Sequence, residues 1–375
     1  NILNYFFNLF MIRSLSVSDY SILASIIVLI GLPIYFVNSI IPLVFKFAGD
    51  FFAKNRLDLA KGLYIKISKL IITISTITLI LFAIFIPQIG EFFHIENLQL
   101  LFITALIISL AMLYTVNNAF LQAKLAFKFY VSALILSTLT KLGFGVGLVI
   151  IGYSVGGAVT AILISSLIIY IYTFYPIRFI FTHKTKSPHI DTKELFKYGI
   201  PSALTTFSLN AFISTDIILT RHFFNGEQAG LYASLALIGK VIFYITQPIA
   251  YVMFPIIVQK HSKNEKTFGT FLMALLIVSG VSVAITIFYY LLPEFTILLF
   301  SKPEYLKVSH LLGLFGLYIA LYSIVVIVSN FYLSIKKTRI YIPTLIAAIS
   351  QIILIYFFHE SIFQVIILSL IIVFY

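Results

Sequence analysis

Continuous apolar runs of about 20 residues recur from one end of the chain to the other, the length a helix needs to cross a bilayer core. They fall at about 1–12 (partial), 21–45, 68–89, 98–119, 129–151, 154–177, 197–220, 230–258, 268–292, 308–333, 340–358 and 361–375. In lipid each backbone N–H and C=O must be bonded within the protein, so such runs become helices. A membrane barrel would instead show strands of about ten residues with alternating polarity. Only 10% of the 375 residues are charged, against about 25% in soluble domains, and mean hydropathy is +1.08. A water-facing surface cannot be built from this composition. The fold expected is an all-α polytopic membrane protein of about twelve spans.

The net charge of +12 points to topology rather than to nucleic acid, because the basic residues sit in short loops between the runs. One set of alternate loops holds 19 Lys and Arg, and the other holds only Arg13, Arg221, Lys302 and Lys307. Glu91, Glu96, Glu227, Glu294 and Glu304 lie on the poorer side. By the positive-inside rule both termini are expected in the cytoplasm. The absence of cysteine excludes disulfides and thiolate metal sites, and the seven histidines show no metal-binding spacing. The chain begins with Asn1 inside an apolar run and ends inside another. The expectation is a truncated first span, with the same question open beyond Tyr375.

The most polar stretch, "THKTKSPHIDTKE", falls mid-chain and reads as a linker between six-span halves, 1–185 and 186–375. "DFFAKNRLDLAKGLYIKISK" (Asp50 to Lys69) has two readings, an interfacial helix on anionic lipid or an ordinary basic loop. The halves resemble each other. "RSLSVSDYSILAS" from Arg13 and "RHFFNGEQAGLYAS" from Arg221 each give Arg, an acid six residues on, and a small residue opening the next helix. Six spans per half makes these parallel repeats, an arrangement found in transporters.

Three charges lie within spans: Lys141, Asp216 and Lys240. Ionisable groups in membranes face a cavity or a partner. Asp216 shares a helical face with Ser202, Thr205 and Thr220, a polar stripe unsuited to lipid. Lys240 has a stem long enough to approach it. Two readings stand: a structural Asp216–Lys240 pair, or a lumen-facing group for substrate or ion coupling. Lys141 has no evident acidic partner in any span, so its ammonium must meet water or an anion. Arg13 and Arg221 end matched spans, as interface anchors or as a pair at the outer mouth of a pathway. Asn4 and Asn8, with Asn1 a turn earlier, form a polar stripe on the first span. "GFGVG" at Gly143 to Gly147 is mid-span with no strand before it. It is no nucleotide fingerprint, and its Gly143 and Gly147 spacing suits close helix packing.

Several stretches together resemble the polysaccharide and lipid-linked oligosaccharide flippases of the multidrug/oligosaccharidyl-lipid/polysaccharide exporter superfamily. They are "RSLSVSDYSILAS", "KYGIPSALTTFSLNAFISTDIILTRHF", "EQAGLYASLALIGKV", "FLQAKLAFKFY" and "IGYSVGGAVTAIL". The resemblance spans essentially the whole chain through short, degenerate motifs. It implies two six-helix bundles around a central cleft that opens alternately to each side. The implied substrate is a polyprenyl-diphosphate-linked oligosaccharide, such as an O-antigen unit, in a bacterial or archaeal cytoplasmic membrane. Lys141, Lys240, Asp216, Arg13, Arg221, Asn4 and Asn8 are then the candidate substrate residues. Asp216 is the candidate for coupling to H+ or Na+. Membrane lipid and other polysaccharide-assembly membrane proteins are the implied partners, and no cofactor is. A drug or cation antiporter of the same superfamily is the nearest rival, though two intramembrane lysines against one aspartate favour an anionic substrate. A membrane polysaccharide polymerase or ligase would need a sizeable outer loop, and the outer loops here are short.

Overall fold

The computed structural model of the chain describes residues 2–38, 41–182 and 192–374, with helices and short connections and no strand among them. Asn1 and most of the expected linker, residues 183–191, lie outside the described residues. Eight helices come first: α1 Ile2–Ser14, α2 Val17–Val37, α3 Ile41–Ala53, α4 Leu57–Ile84, α5 Ile86–Phe92, α6 Leu98–Ala123, α7 Phe127–Leu148 and α8 Ser154–Phe174. After the short α9 Phe179–Thr182 come α10 Thr192–Phe223, α11 Gly226–Gly239, α12 Val241–Ser262, α13 Phe268–Leu291, α14 Pro293–Phe300, α15 Leu312–Ser334, α16 Tyr341–Phe357 and α17 Ile362–Phe374. The second set repeats the first in order, α10 standing where α1 stands and α17 where α8 stands.

Among the described residues, nine helical stretches are long and apolar enough to cross a membrane. One, Phe127–Phe174, breaks at Gly152 (φ 103°) and Ser154 (φ 43°) and folds back as α7 against α8. The shorter α1 and α17, of 13 residues each, complete the twelve expected spans.

The repeat is also written in the turns. α3 ends on Asn55 in the left-handed region (φ 53°), and α12 ends on Asn264 (φ 56°), 209 residues on (264 against 55). Each end closes in the same way: Arg56 N–H donates to Phe51 O and Asn55 N–H to Phe52 O, while Glu265 N–H donates to Lys260 O and Asn264 N–H to His261 O. This pair of bonds satisfies carbonyls that a helix end leaves open. The matched α6 and α15 end likewise, on Leu125 (φ 57°) and Lys336 (φ 61°).

Two expectations are corrected here. The segment Asp50–Lys69 is not one interfacial helix; it is the end of α3, the turn at Asn55, and the start of α4. Two of its basic groups are paired locally, Lys54 with Asp50 at 2.8 Å and Arg56 with Asp58 at 3.3 Å. The expected second span, 21–45, is divided between α2 and α3. The expected eighth, 230–258, lies within one helical stretch, Gly226–His261: at the junction of α11 and α12, Lys240 keeps right-handed helical angles (φ −67°, ψ −6°), its N–H donates to Ala236 O, and Tyr244 N–H donates to its carbonyl.

The chain divides into two compact units: Asn1–Met11 with Ile26–Ala203, and Ile12–Ser25 with Leu204–Tyr375. In the first, α8 packs on α7 and α6, and α6 on α4 and α3. A buried polar chain joins three of these helices: Tyr64 Oη donates to Asn117 Oδ1 at 2.8 Å, and Asn117 Nδ2 to Thr173 Oγ1 at 3.0 Å. In the second, α15 is the central post against α12, α13 and α17, with Phe315, Tyr318 and Tyr322 buried along it. Outward faces carry large apolar side chains such as Leu276, Ile287 and Leu291, as a lipid-facing surface requires.

Candidate functional site

Lys141 lies on α7 in the first unit, half-buried. The face carrying it also carries Thr138 and Gly145, one turn to either side, and this face meets α1. The missing Cβ of Gly145 makes the approach possible: an added carbon would lie 2.7 Å from Phe7 Cε2 and 2.9 Å from Met11 Cε. Gly143 and Gly147 face open space instead, so the close packing expected from their spacing belongs to Gly145. Contact is set by the α7 face that carries Lys141, and the other two glycines are off it.

With α1 this close, Lys141 Nζ donates to Asn4 Oδ1 at 2.5 Å and sits 4.6 Å from the centre of the Phe7 ring. Asn8 Nδ2 donates to Asn4 O at 3.0 Å, within the same stripe. Asn4, Asn8 and Lys141 are thus brought together, as a cation steadied by an amide and an aromatic face. No carboxylate pairs with Lys141 among the described residues. An ammonium has three N–H donors, and one goes to Asn4, so the partly buried group keeps donor capacity for an anion.

Asp216 and Lys240 lie together in the second unit, both buried, at 0% and 6% exposure. Thr205 and Thr220, from the stripe read in the sequence, are buried with them. The carboxylate is held at both oxygens: Tyr232 Oη donates to Oδ2 at 2.7 Å, and Ile217 N–H donates to Oδ1 at 2.8 Å. Lys240 Nζ donates not to the carboxylate but to Ile213 O at 2.5 Å, one turn before Asp216 on the same helix. The two charges attract through this short span of α10 without a direct ion pair between them.

Tyrosines extend the polar core. Tyr322 Oη donates to Leu209 O at 2.8 Å and Tyr318 Oη to Phe212 O at 3.4 Å, so a row of α10 carbonyls faces side-chain donors. Gln351 Nε2 reaches Tyr318 Oη at 3.5 Å and Ser369 Oγ at 2.9 Å. Tyr232, Tyr318, Tyr322 and Gln351 were not among the residues expected from the sequence. A tyrosine in an apolar run carries no charge to mark it. The i, i+4 spacing of Tyr318 and Tyr322 was the available signal, and it is shared by many packed helices.

The matched arginines part company. Arg221 is buried at 4% exposure, and its Nη1 donates to Ser21 Oγ at 2.9 Å, tying the end of α10 to the start of α2. Backbone approaches closely there, since a Cβ on Gly230 would overlap Val17 O and one on Gly226 would overlap Ser18 Oγ. Arg13 is exposed and donates through Nη2 to Leu299 O at 2.5 Å, at the end of α14. Nearby, Lys302 Nζ donates to Leu15 O at 2.8 Å. Among the described residues no cluster of His, Asp or Glu is suited to a metal ion.

Residues 10–310 match the family described as polysaccharide biosynthesis protein. No curated protein matches the chain. Solved structures that it resembles include an inward-facing multidrug-resistance MATE transporter of the MOP superfamily (TM-score 0.77, 13% identity, covering 99% of this chain and 91% of that one). Another is the lipid II flippase MurJ in an inward closed conformation (0.74, 18%, 100% and 83%). A third is a MOP-superfamily transporter from Pyrococcus furiosus, described as having a binding pocket of reversed polarity (0.66, 15%, 100% and 89%). At these identities the likeness shows the fold, which is that of the MOP transporters.

Proposed function

The chain belongs to the polysaccharide biosynthesis protein family, and on that premise we propose that it is a flippase for polyprenyl-diphosphate-linked oligosaccharide repeat units. Translocation runs by alternating access across the cytoplasmic membrane, with both termini on the cytoplasmic side. The protein is a transporter and catalyses no bond change in its substrate.

The observation that carries this reading is Lys141. Its ammonium is half-buried in a membrane-spanning helix, steadied by Asn4 and Phe7, with no carboxylate partner among the described residues. Such a group is costly in a membrane unless a cavity or an anion meets it. A diphosphate supplies charge and acceptor oxygens, while the polyprenyl tail stays in lipid and the sugars accept hydrogen bonds from groups such as Asn8. A cationic substrate would be repelled at the same place, which weighs against the antiporter reading.

Binding of a polyprenyl diphosphate to the purified protein in nanodiscs tests the proposal, with the matching polyprenol as control. Wild type is expected to bind the diphosphate and not the alcohol. Lys141→Ala is expected to weaken binding by about tenfold or more, equivalent to about 1.4 kcal/mol. Equal binding by wild type and variant, or equal binding of diphosphate and alcohol, contradicts the assignment.

A further inference from the structure

Lys240 occupies the junction of α11 and α12 within one helical stretch, Gly226–His261. α11 ends at Gly239 and α12 begins at Val241, with Lys240 capping both. Gly239 lets this junction sit close to α15, because a Cβ there would overlap the Phe315 ring. Tyr289 Oη donates to Ile238 O at 2.8 Å, so a carbonyl beside the junction takes a side-chain donor.

The facing helix α10 is prepared in the same sense. Ile213 O and Ile217 N–H are the two ends of one helical hydrogen bond. Asp216 Oδ1 accepts from Ile217 N–H, and Ile213 O accepts from Lys240 Nζ. Both ends of that bond are engaged by charged side chains. The resulting set is a carboxylate and a backbone carbonyl within one turn of α10, with the phenol oxygen of Tyr232 from α11, all buried. Oxygen donors of this kind, carrying one negative charge, suit a monovalent alkali cation.

We propose that this is a monovalent-cation site whose occupant is the protein's own Lys240 ammonium. Lys240 supplies the single positive charge that the Asp216 carboxylate requires, delivered by a tether instead of from solution. The site is therefore satisfied in wild type without free Na+, and sodium is not the ligand of Asp216 in the native chain. This concerns the second unit's polar core and stands apart from the substrate assignment at Lys141.

The test is sodium binding and thermal unfolding of purified protein in detergent, compared in sodium chloride and choline chloride at equal ionic strength. Wild type should bind no radiolabelled Na+ through this site and should melt alike in both salts. Lys240→Ala should melt lower in choline, recover in sodium, and bind about one Na+ per chain; Lys240→Ala with Asp216→Asn should lose both responses. Lys240→Gln provides a second variant of closer volume if the alanine form does not fold. A folded Lys240→Ala or Lys240→Gln that ignores sodium overturns the proposal. So does wild-type Na+ binding that Asp216→Asn abolishes, a result obtainable even if neither Lys240 variant folds.

Discussion

Gly145 and Lys141 act as a pair on one face of α7: the glycine brings α1 near, and the lysine uses what α1 offers. A Gly145→Val change forces bulk into Phe7 and Met11, so a loss of about 1–3 kcal/mol is expected in thermal or denaturant unfolding. Gly143→Ala meets open space and improves helix propensity, so it should be neutral or gain about 0.5–1 kcal/mol. If both cost the same, the face assignment of α7 is wrong. Charges in spans were legible in the sequence, because a charge in an apolar run is too costly to be incidental. Their partners were not. Asn4 lies 137 residues from Lys141 along the chain, and Asp216 takes Tyr232 and a backbone amide rather than Lys240 directly. Of the two readings left open for Asp216, the paired one implied direct contact with Lys240, whereas Lys240 donates to Ile213 O.

Helix ends hold much of the order between elements. Leu125 carries a branched side chain in the left-handed region (φ 57°) and is 62% exposed, so it pays backbone strain without much packing in return. Leu125→Gly keeps both closing bonds, Leu125 N–H to Gln122 O and Ala126 N–H to Leu121 O. It is expected to stabilise by about 1 kcal/mol, read as a higher unfolding temperature in detergent. A lower temperature would mean that the leucine packs against something the turn needs. Span number and order were readable from hydropathy, and the paired "RSLSVSDYSILAS" and "RHFFNGEQAGLYAS" motifs announced the repeat. The end of α2 at Val37 and the start of α3 at Ile41, inside one expected span, were not, because the residues around them remain apolar. Hydropathy measures what a segment faces and not whether its backbone is continuous.

At the scale of the whole molecule, α10–α17 repeat the element order of α1–α8. The orientation proposed from the loop charges is directly testable, because the chain has no native cysteine. Single Lys54→Cys and Glu96→Cys variants, both at exposed positions, should label from opposite sides of the membrane. Lys54→Cys should react only once the cytoplasmic face is opened, and Glu96→Cys in intact cells; the reverse pattern would invert the proposed topology. Composition alone told the membrane class, and motif resemblance the transporter fold. Substrate chemistry rests on one half-buried ammonium and on family membership. The most direct test is flipping of a fluorescent polyprenyl-diphosphate oligosaccharide in proteoliposomes, wild type beside Lys141→Ala at matched reconstitution. Flipping by wild type that falls at least tenfold in the variant is the predicted result. Absence of flipping by wild type across a range of sugar heads, with transport of a cationic dye in its place, would contradict the account and identify a cation antiporter.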